Sequence, residues 1–119
     1  MWVFLSNSML DIAAYRDDPT LLLVRARISG DIENIFPDVS VEETPDADYR
    51  YRAKISRQAV TAKMSQIVAS IGYDNFVSPV ANDARHDAYF DVWSTMMAEQ
   101  LRRLGEAKTT SATETVLTQ

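Results

Sequence analysis

The chain has 119 residues, of which 46% are hydrophobic and 24% charged, and carries a net charge of −5. That is the balance of one globular domain large enough to bury a core, not of a disordered chain. It contains no cysteine and a single histidine, His86, which excludes a disulfide framework, a thiolate nucleophile, a zinc site on cysteine and a multi-histidine site within one chain.

Only Gly30, Gly72 and Gly105 occur as glycines, so no glycine loop is available to cradle a phosphate. No loop has the ligand spacing of an EF-hand. No cofactor and no metal are therefore expected. The opening MWVFLSNSMLDIAAY is apolar but too short and too polar for a signal peptide or a membrane span, and a cytoplasmic location is the default expectation. Acidity is concentrated in the first half: residues 1–50 hold ten acidic and four basic side chains, the remainder seven and eight.

The chain begins with hairpins. Trp2–Ser6 folds back on the following strand through Asn7-Ser8. Met9–Arg16 and Thr20–Ile28 flank Asp17-Asp18-Pro19, a turn set by Asx hydrogen bonding and the fixed φ of proline. Pairing about that turn places Leu10, Ile12 and Ala14 opposite Ala26, Val24 and Leu22. The other face then carries Asp11 opposite Arg25, with Trp2, Phe4 and Tyr15 beside them. Ser29–Phe36 reads as a short helix stopped by Pro37. Val39–Glu43 and Tyr49–Ile55 form another hairpin around Thr44–Asp48, with Glu42 opposite Arg50. Alternation puts Tyr49, Tyr51, Ala53 and Ile55 toward the core and Arg50, Arg52 and Lys54 away from it.

Ser56 caps a helix whose apolar stripe is Val60, Met64, Ile67, Val68 and Ile71, ended by Gly72. A surface loop spans Tyr73–Asn82. The last helix covers about Ala84–Leu104, with His86, Tyr89, Phe90, Trp93, Met96, Met97 and Leu101 on its stripe. Residues 107–119, rich in Thr and Ser, read as a disordered tail after a single domain over 1–106. The fold class is α+β in the order β-β-β-α-β-β-α-α: a hairpin-rich antiparallel sheet of four to five strands with helices packed on it.

Three functional readings follow. An acid–base site would use His86 and Tyr89 with Asp87 or Asp74, near Arg85. Against it, adjacent helix residues point about 100° apart, so His86 and Asp87 are not a ready dyad. A single-stranded nucleic acid platform would use Arg25, Arg27, Arg50, Arg52 and Lys54 interleaved with aromatics. Cross-strand acids and the net negative charge oppose that reading. The third is a protein interface, a homodimer included, built on Trp2, Phe4, Tyr15, Arg25, Arg27, Arg50, Arg52 and Trp93, since aromatic, Met and Arg side chains are enriched in interfaces. The acidic segment Asp31–Asp48 reads as a solvated edge.

The stretches MWVFLS, PDADYRYRAKISR, YDNFVSPV and RHDAYFDVWSTM resemble a family of short uncharacterised bacterial proteins over about residues 1–100. The resemblance implies a free-standing bacterial or phage-borne domain and transfers no activity, cofactor or partner. The favoured expectation is a non-enzymatic protein-binding or inhibitory module, either self-associating or of the phage type that blocks a larger host machine. It acts through the aromatic and arginine face or the last helix. A protein partner is expected ahead of nucleic acid, with no membrane and no metal.

Overall fold

Period-two alternation and two tight turns generate a five-stranded antiparallel sheet. The computed structural model describes the backbone of residues 1–117 and the side chains through residue 107. Strands β1 (Trp2–Leu5), β2 (Ser8–Ala14), β3 (Leu21–Ala26), β4 (Glu42–Glu43) and β5 (Tyr51–Ser56) lie in the sheet order β1-β2-β3-β5-β4. Helix α1 (Asp31–Ile35) lies between β3 and β4, α2 (Arg57–Ala69) follows β5 without a loop, and α3 (Asp83–Leu117) comes last. The fold is α+β in the element order expected from sequence. The chain divides into two compact units, Met1–Asn82 and the helix beginning at Asp83.

In the first unit, the β2–β3 register matches the expectation residue for residue: Asp11 opposes Arg25, Ile12 opposes Val24 and Ala14 opposes Leu22. Asp18 fixes the turn by accepting hydrogen bonds from the Thr20 N–H at 2.9 Å and the Thr20 hydroxyl at 2.6 Å. The β1–β2 turn sits one residue earlier than read, with Leu5 opposite Ser8. One face of the sheet forms the core. Leu10, Ile12, Val24, Ala26, Ala53 and Ile55 meet Ile32 and Phe36 around α1 and Val60 of α2, with Val3, Leu5, Leu22, Tyr51 and Met64 partly buried against them.

Helix α1 is five residues long and needs help to form, since so short a helix has little cooperativity of its own. Gly30 supplies it by adopting φ 91° at the N-cap, a left-handed conformation open to glycine. Asp31 supplies the rest. It is 1% exposed, its carboxylate accepts the Met9 N–H at 3.0 Å, and its carbonyl accepts the Ser8 hydroxyl at 2.8 Å. Asn34 donates to the Asn7 carbonyl at 3.0 Å. The acidic segment is a solvated edge as expected, with Glu33, Asp38, Glu42, Glu43, Asp46 and Asp48 exposed; Asp31 alone among its acids is interior, and Glu43 and Asp48 hold arginines at the surface.

The β4–β5 pairing departs from expectation. Glu42 opposes Arg52, and Glu43 opposes Tyr51. The Thr44 N–H closes on the Arg50 carbonyl at 2.6 Å, which centres the turn one residue later and slides the register by two residues. A two-residue slip keeps the strand residues on their faces and sets Glu42 opposite Arg52, while Arg50, just before β5, ion-pairs with Glu43 at 2.8 Å.

Ser56 caps α2 as expected, accepting the Ala59 N–H at 3.1 Å. The stripe predicted for α2 is buried only at its start. Val60 is buried and Met64 partly so, while Val68 is 66% and Ile71 49% exposed. The direct β5–α2 junction explains this, because it anchors the start of α2, with Val60 in the core, against β5 and β3.

The second unit is one helix. It passes Gly105 and continues to Leu117, where the sequence placed its end near Leu104 and a disordered tail over 107–119. A lone glycine costs a helix only about 1 kcal/mol relative to alanine. The Arg102–Glu106 ion pair bridges it, and Glu99 pairs with Arg102 and Arg103 one turn earlier. Residues 118–119 lie outside the described residues.

Candidate functional site

The sheet face away from the core carries the arginines. One cross-strand row runs Trp2, Asp11, Arg25, Arg52, Glu42. Arg25 donates from Nε to Asp11 Oδ2 at 2.7 Å. The two side chains are 28% and 9% exposed, so this pair sits in a partly dry environment where charge-assisted bonds are strong. Arg27, just past the end of β3, reaches Asp48 at 2.9 Å.

Between the two arginines lies Tyr49. Its ring is 4.9 Å from the Arg25 guanidinium and 4.1 Å from that of Arg27. The sequence assigned Tyr49 to the core with Tyr51, Ala53 and Ile55. It is buried, at 7% exposed, but under guanidinium groups, because it precedes β5 and escapes the strand's alternation. Cation–π contact makes this a low-cost way to cover an aromatic ring. Asp48 and Tyr49 were not singled out as site residues. The signal available was their adjacency in Asp48-Tyr49-Arg50, an acid and an aromatic beside a strand rich in cations.

The remaining cations are arranged differently. Lys54 sits with Nζ 4.7 Å from the Tyr15 ring centre, and its interaction with the Tyr15 side chain raises the ammonium pKa. Arg52 donates from Nη2 to the Tyr49 carbonyl at 3.4 Å, while its Nε is buried with no hydrogen-bond partner. Both border a cleft of about 360 Å³ with Leu23, Val39, Ser40 and Glu42. Arg25, Arg27 and Arg50 all hold carboxylates of the protein itself. An arginine already paired internally adds little to phosphate binding. Trp2, at its β1 end, is 67% exposed, and Phe4 and Tyr15 are half-buried.

On α3, the acid–base candidates are not assembled into a relay. His86 Nδ1 is 3.8 Å from Asp87 Oδ1, beyond hydrogen-bond reach. Arg85 instead donates to the Tyr89 hydroxyl at 3.2 Å, four residues on, with its guanidinium 5.9 Å from the ring centre. That bond uses the phenol as an acceptor within the helix. Asp74 lies exposed in the loop of the first unit. Among the described residues no group of three or more His, Asp or Glu is placed to hold a metal ion.

The same helix displays an apolar strip. Phe90, Trp93, Met96, Leu101 and Leu104 are 49, 52, 62, 59 and 51% exposed, and Met97 is 36% exposed. Phe90 and Trp93 stack, with ring centres 5.6 Å apart and planes 19° from parallel. Trp93 was expected at an interface, and the strip around it is the largest run of exposed apolar side chains on the described residues. No protein family, no curated protein and no solved structure matches this chain. No helix among the described residues is long and apolar enough to cross a membrane.

Proposed function

We propose that the protein is a non-enzymatic protein-binding module whose docking surface is the apolar strip of α3. One observation carries the reading: seven large apolar side chains from Phe90 to Leu104, Val92 among them, remain at least a third exposed along one helix. Exposed contiguous apolar surface of this kind marks interaction sites in soluble proteins, and aromatic and Met side chains are the types from which binding hot spots are made. A helix presenting anchors at three- and four-residue spacing is a recurring recognition mode.

The competing readings draw less support. Among the described residues His86 has no hydrogen-bonded acid or base beside it, and Arg25, Arg27 and Arg50 hold carboxylates of the protein itself. The test compares two variants of the full chain as bait against lysate from its native source. Trp93→Glu with Leu101→Glu is expected to abolish capture of a protein partner, while Arg50→Glu with Arg52→Glu leaves it intact. Capture lost only with the arginine variant refutes the strip as the docking surface.

A further inference from the structure

The strip on α3 has an internal symmetry. Phe90 and Trp93 precede Met97 by seven and four residues, and Leu101 and Leu104 follow it by four and seven. At about 100° per residue these five positions fall within about 40° of a single line on the helix. The spacing is therefore the same read in either direction from Met97, over about 21 Å of helix at 1.5 Å per residue.

We infer that the occupant of this strip is a second copy of the same chain, paired through α3 in antiparallel fashion about a two-fold axis at Met97. The inference rests on the strip being the docking surface. A two-fold axis makes an interface self-complementary, and here it sets Phe90 against Leu104, Trp93 against Leu101 and Met97 against its own mate. Each layer then combines a larger with a smaller side chain, or two flexible methionines, which keeps the layers similar in volume. Parallel pairing would instead crowd two tryptophans into one layer and leave leucines in another, and overpacking is destabilising.

Charge points the same way. The start of α3 carries Asp83, Asp87 and Asp91 against Arg85, a net of −2, whereas its stretch from Glu99 to Glu106 balances Arg102 and Arg103 with two glutamates. Parallel association would bring two acidic ends together, where like charges repel. Antiparallel association sets each acidic end beside a guanidinium-bearing one and opposes the helix dipoles.

The absence of cysteine makes the test clean. Met97→Cys is expected to form a disulfide-linked dimer under mild oxidation. Phe90→Cys alone is expected not to, but to link when mixed with Leu104→Cys. Sedimentation of the unmodified chain should show a reversible dimer in about the micromolar range, as expected for a small interface, lost in Trp93→Glu with the circular dichroism spectrum retained. A chain that stays monomeric at 100-fold higher concentration, or self-linking of Phe90→Cys, overturns the inference. In the monomeric case, continued capture of another protein that Trp93→Glu and Leu101→Glu abolish shows that only the choice of partner failed. Loss of both shows that the strip itself is not a docking surface.

Discussion

Asp31 and Ser8 are tied to each other across 23 residues of chain, the Ser8 hydroxyl donating to the Asp31 carbonyl at 2.8 Å while the Asp31 carboxylate takes the neighbouring Met9 N–H. Both residues are essentially inaccessible, Asp31 at 1% and Ser8 at 0% exposed. The pair joins the first hairpin to α1, an element too short to persist alone. Replacing Asp31 by alanine leaves the Met9 N–H without its acceptor, and the expected cost is about 2 kcal/mol. Asp31→Asn, which keeps an acceptor, should lose less. Urea denaturation of both variants measures the difference as a shift in midpoint at constant slope.

Tyr49 should show its dependence on the arginines in the same assay. Tyr49→Phe preserves the ring and is expected to be close to neutral, whereas Tyr49→Ala should cost about 3 kcal/mol. Asp11→Ala strands the partly buried Arg25 charge, with an expected loss of about 2 kcal/mol. Because Arg25 and Asp11 act as a unit, the double variant Asp11→Ala with Arg25→Ala should lose less than the sum of the singles.

The two halves of α2 should respond in opposite senses. Val60→Ala removes buried methyl groups and is expected to destabilise by about 1–2 kcal/mol. Val68→Ala, at a position 66% exposed, trades a β-branched residue for the best helix former and should be neutral or stabilising by about 0.5 kcal/mol. Equal losses at both positions would show that the C-terminal half of α2 is packed after all.

Acid should weaken the protein through three carboxylates. The Thr20 hydroxyl and N–H lower the pKa of Asp18, the Arg27 bond lowers that of Asp48, and Arg102 with Arg103 lowers that of Glu99. Each is thus more acidic folded than unfolded, so its contribution is present above the ordinary carboxylate value of about 4 and is lost as pH falls through the lower folded value. Thermal melts should be level from about pH 8 to 5 and decline below about 4. Asp18→Asn and Asp48→Asn should each flatten that decline. A midpoint that rises on acidification contradicts the assignment.

The parts legible in the sequence were those governed by local rules. Asp17-Asp18-Pro19 fixed the β2–β3 register because the turn's length and the core alternation demanded the same pairing. Ser56 was readable as a cap from its place between an alternating segment and a helical stripe. What was not legible depended on distant partners. Tyr49 fits a strand's alternation on paper, and only Arg25 and Arg27, two strands of sequence away, reveal its other role. Asp31 looks like one acid among many until Ser8 and Met9 are brought to it. Gly105 reads as a stop, and ion pairs among Glu99, Arg102 and Glu106 carry the helix past it. The α3 strip was visible as a stripe, but a stripe alone does not distinguish a core face from an exposed one.

The sheet ends on one side in β4, two residues long and both glutamate. So short and charged an edge gives an incoming strand almost no backbone to pair with and repels an acidic one. Ordered aggregation requires a strand template that propagates from molecule to molecule, and on this side the chain has removed it. Polymerisation by continuous sheet extension is therefore interrupted at every copy, whatever happens at the opposite edge.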